Sequence, residues 1–153
     1  MKRLFLGLTL AALTSSGAVT AQDAPFAMEI KARQGIMAYR ALQLGLLGGM
    51  AKGEIAYDAG AAQKAADNLA AATAMDVSML WPQGSDHAAN PASDVAASLW
   101  DPASDIGGKA KAMADAVAEM QAAAGMDLDS LKAAMGPVAE ACKGCHQVSR
   151  VPD

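Results

Sequence analysis

Aromatic side chains, cysteine and histidine are scarce in this chain, and strand-forming segments are close to missing. Phe, Trp and Tyr together make up 4% of the 153 residues, and there are two Cys and two His. With few β-branched and aromatic residues, the sequence has little to build a half-buried sheet from. A basic surplus is also lacking: 12 Lys and Arg face 16 Asp and Glu, a net charge of −4. That excludes the basic surface a nucleic-acid partner needs. Past the first twenty residues no apolar run is long enough for a transmembrane helix. Paired carboxylates, a Ser-His-Asp set and a phosphate-binding glycine loop are all absent as motifs, so the chain does not read as an enzyme.

What is present is concentrated at the two ends. At the start, Met1-Lys2-Arg3 precedes an apolar stretch from Leu4 to Leu13 and a small-residue segment ending Val19-Thr20-Ala21. This is the pattern of a secretory signal with cleavage after Ala21, which predicts a periplasmic protein. The apolar stretch is short for a bilayer span, and an uncleaved anchor is the alternative. Losing Lys2 and Arg3 takes the net charge from −4 to about −6. An acidic exported chain allows a basic partner protein without demanding one, and the partners expected are redox proteins.

Near the other end stands Cys142-Lys143-Gly144-Cys145-His146, with both cysteines and one of the two histidines. Cys-x-x-Cys-His is the attachment pattern of a c-type haem. On a helix the two thiols share one face, where each can form a thioether with one haem vinyl. The next imidazole then reaches the iron as proximal ligand. A redox disulfide is the rival reading in an oxidising compartment. It needs a thioredoxin-like alternation of strands and helices, which this sequence does not offer.

Between the ends, Ala, Leu and Met supply a 53% hydrophobic content built from good helix formers. The periodicity predicts four helices, over 25–52, 58–79, 102–124 and 127–149. Ile30, Met37 and Leu44 mark the first, and Ala65, Leu69 and Ala72 the second. In the third, Ile106, Ala110, Met113, Val117, Met120 and Ala124 alternate by four and three. In the fourth, Leu128, Leu131, Met135, Val138, Cys142, Cys145 and Ser149 do the same, so both cysteines fall in the seam. Gly136-Pro137 should interrupt and kink that helix. The stretch 81–102 is punctuated by Pro and Gly and reads as a long connection with a short helical turn near 94–99. The fold class expected is all-α, an antiparallel four-helix bundle over 22–153 with its cofactor inside. An alanine-rich core is thin, and a bound haem would add the missing apolar bulk.

The motif set resembles that of class II cytochromes c, the cytochrome c' family, over essentially the whole chain after the leader. The matching pieces are Arg33-Gln34-x-x-Met37, Lys52-Gly53-Glu54-x-x-Tyr57-Asp58, Leu99-Trp100, Leu131 to Met135, and Cys142-x-x-Cys145-His146-x-x-x-Arg150. The C-terminal position of the haem motif separates this family from the commoner class. The resemblance implies one covalent haem c on Cys142 and Cys145, His146 as proximal iron ligand, Arg33 near a propionate and Met37 on the distal side. Spacing agrees, because residues 33 and 37 share a helix face.

Two functions stay open. In one branch of the family a first-helix methionine closes the sixth position and the protein carries electrons. In the other the iron is five-coordinate and binds nitric oxide or carbon monoxide. Met37 is either that ligand or a flexible core residue. Met28, Met50 and Met113 are weaker candidates. A peroxidase would need polar distal acid–base groups that are not evident. Arg150, one turn after His146, reads either as a contact near the proximal side or as a solvated charge favoured by the helix end. His87 reads as an exposed loop residue, and Trp81 and Trp100 as packing over one end of the bundle. Tyr39 and Tyr57 receive no role. Asp101, Asp105, Asp115 and Glu119 read as a solvated face. The family also forms homodimers on its first two helices, and Gly45, Gly48 and Gly49 would permit close approach there.

Overall fold

A computed structural model describes residues 24–152, and the export signal expected at 1–21 lies outside them. The described chain is all-helical: α1 (Ala27–Lys52), α2 (Ala59–Ala74), α3 (Ile106–Ala123) and α4 (Leu128–Ser149). Side-chain contacts fix the order as up-down-up-down. Asn68 of α2 donates to Gln43 of α1 at 3.4 Å, and Gln63 of α2 reaches the Gln121 carbonyl of α3 at 2.9 Å. Cys142 of α4 meets Met113 of α3. No helix among the described residues is long and apolar enough to cross a membrane.

Caps explain the boundaries. Asp58, Asp105 and Asp127 each accept a backbone N–H from the residue three positions on, at 2.7, 3.2 and 2.7 Å, and so start α2, α3 and α4. At the end of α1, Gly53 takes φ 76° and returns its N–H to the Met50 carbonyl, a left-handed cap that suits glycine. Gly49 is buried for a related reason. A Cβ there would stand 2.7 Å from Ile55 Cδ1, so the turn after α1 folds back on a bare backbone.

Three expected boundaries are corrected. The second helix stops at Ala74, not Met79, because the Asp76 carboxylate captures the Ser78 N–H and a separate 3-10 turn follows at Ser78–Leu80. The third begins at Ile106. Pro102 opens its own short turn, and Asp105 at φ 48° separates that turn from the helix. The helical turn expected near 94–99 lies at Ala97–Trp100. The break expected at Gly136-Pro137 is absent: α4 continues through Pro137. Pro137 and Ala133, whose carbonyl its ring leaves without a donor, are both exposed, where water can satisfy that carbonyl.

The closed core occupies one end of the bundle. Leu47, Leu69, Val117, Met120, Leu131 and Val138 are buried there, with alanines between them. Farther along the same seams, Met37, Met113, Cys142 and Cys145 are only half-buried. Packing is tight where the alanines sit and opens toward the cysteine end.

Candidate haem-binding site

The inward stripe of α1 reads Ile30, Arg33, Met37, Arg40, Leu44, Leu47, spaced by three and four. Two of these six seam positions carry arginine. Charged residues are rarely buried without partners, so the pair marks the helix face that carries chemistry. That signal was available in the spacing, yet it drew no attention to Arg40.

Register follows from the contact of α1 with α4. A methyl at Gly48 would lie 3.6 Å from Met135 Cε. On antiparallel helices each residue forward on α1 then matches one residue back on α4. Met37 therefore falls level with His146, Arg40 with the Cys142–Cys145 pair, and Arg33 with Arg150. Two observations agree. The charge of Arg40 acts on both cysteine thiols. Arg33 binds the connection between α2 and α3 beside Val95, which pairs with Arg150 in an isolated antiparallel bridge.

Arg33 is 4% exposed. Its Nη1 donates to Ser85 Oγ at 2.7 Å and the Leu80 carbonyl at 3.2 Å. Its Nη2 donates to Ser93 Oγ at 2.6 Å and to the Ser85 carbonyl. The guanidinium stacks over Trp81, 5.0 Å from the ring centre. Trp81's carbonyl in turn accepts the Trp100 indole N–H at 3.1 Å. All these acceptors are neutral, and among the described residues no carboxylate forms an ion pair with Arg33. Burial pulls its pKa down, and the charge of Asp94 only partly offsets this. A buried charge met only by neutral groups is costly; an anion such as a propionate would relieve it. Ser85 and Ser93, both fully buried, are the residues that sequence reasoning missed here.

Cys142 and Cys145 are free thiols, half-buried on one face of α4. The Cys142 S–H points at Met113 Sδ at 3.9 Å, and Cys145 Sγ lies 3.7 Å from Ser149 Oγ. Burial raises the Cys142 pKa, with Arg40 acting against it. His146, at the last turn of α4, is exposed overall, and partial desolvation of its ring followed by the Arg150 charge lowers its pKa. Both effects favour the neutral imidazole, the form that binds metal. Arg150 is exposed, and its backbone N–H caps α4 at the His146 carbonyl, 3.0 Å away. Among the described residues no three His, Cys, Asp or Glu gather into a metal cage. Two half-buried thiols on one face of α4, followed at once by the exposed imidazole of His146, would suit a covalently attached haem.

Other expectations find definite places. His87 is exposed, its Nδ1–H donating to the Ser93 carbonyl at 2.7 Å. Tyr57, given no role in the sequence, donates to the Ala124 carbonyl at 3.0 Å and ties the first turn to the end of α3. Asp101 and Asp105 are exposed but work as caps. Asp115 is exposed and pairs with Lys111 at 2.6 Å. Glu119 is solvated. Gly48 and Gly49 face Met135 and Ile55 of the same chain, which accounts for both without a second copy.

Comparison with known proteins follows this geometry. The family model for cytochrome c' matches residues 28–150. Cytochrome c-554 of Cereibacter sphaeroides is 43% identical over 124 residues, covering 81% of each chain. The solved cytochrome c' from Rhodobacter sphaeroides superposes with a TM-score of 0.81 at 36% identity, over 85% of this chain and 100% of that one. A variant of cytochrome c prime from Alcaligenes xylosoxidans, solved in its ferrous form with bound NO, gives a TM-score of 0.71 at 27% identity, over 82% and 94% of the two chains.

Proposed function

Because this chain belongs to the cytochrome c' family, whose members carry one covalent haem c, we propose that it is a periplasmic one-electron carrier with haem iron bound between His146 and Met37. Cys142 and Cys145 hold the haem by thioether bonds, and Arg33 faces a propionate. The single observation that supports this most is the register that sets Met37 level with His146 on the opposite helix. Met37 is half-buried on the inward stripe, between Arg33 and Arg40. A bound haem supplies an iron that takes up and releases one electron. The chain contributes its placement. His146 is kept neutral, the thiols are aligned on one face, and a thioether on the other side favours the reduced state. Partners in this reading are redox proteins that reach the exposed cysteine end, and the protein performs no catalysis of its own. A homodimer across α1 and α2 belongs to the same proposal.

A second reading has five-coordinate iron binding nitric oxide or carbon monoxide, with Met37 as an unligated neighbour. The relative solved with bound NO supports it. Absorption spectra of the reduced holo-protein separate the two. A sharp α-band that broadens in Met37→Leu is the outcome expected. A broad band in the native protein, or no change in the variant, would overturn ligation by Met37.

A further inference from the structure

Arg40 has no place in either reading, yet it stands in the middle of the site. It occupies a seam position on α1, one turn past Met37 and on the same face. By register it is level with Cys142 and Cys145. Its Nη2 donates to the Ala72 carbonyl at 2.8 Å. That carbonyl belongs to the last turn of α2, where backbone acceptors have no helical donor and the helix dipole favours a cation. Its Nη1 reaches Met37 Sδ at 4.0 Å. Its Nε is buried and has no hydrogen-bond partner, the only buried side-chain nitrogen or oxygen so placed among the described residues. A buried donor without an acceptor is costly to keep, and among the described residues no carboxylate pairs with this guanidinium. The α2 tether nevertheless fixes the charge in the seam.

We propose that Arg40 is a fixed positive charge on the Met37 side of the haem that biases the iron toward its ferrous state. Reduction adds one electron and lowers the net charge of the iron centre by one unit. A cation held nearby, in a seam where charges are screened less than in water, favours the state with less positive charge. The anchor on Ala72 keeps the charge from swinging out to solvent when the iron is oxidised. The proposal rests on the haem lying against this face of α1, and it holds whether or not Met37 ligates the iron.

The test is the midpoint potential of the haem-loaded protein carrying Arg40→Met, Arg40→Gln or Arg40→Lys. Removing the charge should weaken the preference for the ferrous state by about tenfold, which is 59 mV for a one-electron couple. Arg40→Lys should recover most of that shift. The reduced absorption spectrum is recorded for each variant. An unchanged band shape shows that ligation is intact, so a lost Met37 bond cannot account for the shift. Arg40→Gln guards against misfolding, because its amide can still donate to Ala72. A ferrous preference that changes less than twofold in both neutral variants, a shift of under about 18 mV, would overturn the proposal. So would an equal drop in the lysine variant, since charge would then not be the cause.

Discussion

A methyl at Gly48 of α1 would lie 3.6 Å from Met135 Cε of α4, and carrying that register along the antiparallel pair sets Met37 level with His146. Glycine at 48 leaves room there for the Met135 side chain near the closed core. Antiparallel helices transmit register along their length, so the close approach at Gly48 bears on which residues of α1 and α4 stand level about three turns away. Gly48→Leu would press on Met135 and push the helices apart. The holo-protein should then lose its native reduced band shape even though no residue at the site has changed. An unaltered spectrum in a folded variant would show that the register is not set there.

Arg33 should act as the latch of the connection between α2 and α3. Its two terminal nitrogens engage Leu80, Ser85 and Ser93, and its face covers Trp81. Arg33→Met takes the donor from Ser85 Oγ and from the Leu80 carbonyl, while the Ser85 carbonyl keeps the Ser93 hydroxyl and Ser93 Oγ keeps the Val95 N–H. Each unsatisfied buried group costs roughly 1–3 kcal/mol. The variant should therefore be at least about 2 kcal/mol less stable in denaturant, and residues 78–95 should become the first site of limited proteolysis. A stability within about 0.5 kcal/mol of the native protein would remove the latch role.

The fold was largely legible because its signals are periodic. The three-and-four alternation from Leu128 to Ser149 put both cysteines in the seam, and the structure has them on one inward face. Boundaries failed where short polar side chains compete with helix geometry, as Asp76 does after α2 and Asp105 does before α3. At Pro137 the expected interruption does not occur, because Pro137 and Ala133, whose carbonyl its ring frees, are both exposed, which the sequence does not state. Ser85 and Ser93 were unreadable, since their partner Arg33 lies 52 and 60 positions away. Arg40 was readable, as a charge on an apolar stripe, but the family motif drew attention to Arg33 and Met37 instead.

Covalent attachment should divide between the two thiols. Cys142 and Cys145 each lie on the face that would meet the haem, with distinct neighbours, Met113 and Ser149. Single alanine variants should keep haem through one thioether, with a slightly shifted α-band. The double variant should release all of its haem into acidified organic solvent. Haem retained by the double variant would show that attachment lies elsewhere.

Leu69 tests the closed end. It is fully buried on α2 among small residues, beside Leu47 and Met120 in the same cluster. Alanine neighbours have no spare length to fill a gap, so Leu69→Ala should cost toward the upper part of the 2–5 kcal/mol range typical of such changes. Denaturant midpoints measure this. The haem band shape should stay native, because the site is built at the other end. A loss under about 1 kcal/mol would mean the core relaxes around the missing atoms.

Asp127 gives a pH signature for α4, the helix that carries the haem motif. Its carboxylate accepts the Ser130 N–H at 2.7 Å at the helix N-terminus, where the dipole also favours a negative charge. These bonds hold its pKa below the ordinary aspartate value. A carboxyl whose folded pKa is depressed stabilises the fold fully above its unfolded pKa. That contribution is lost as pH falls through the ordinary aspartate range toward the lower folded value, and nothing more is lost below it. Asn caps a helix about as well as Asp but does not titrate. The stability difference between the native protein and Asp127→Asn should therefore be constant near neutrality and shrink between about pH 5 and pH 2. Other acids titrate in that range too, Asp67 and Asp76 among them with lowered values of their own. They are present in both proteins and cancel in the difference. A difference that does not change with pH would show that the charge of Asp127, as distinct from its hydrogen bond, contributes nothing to α4.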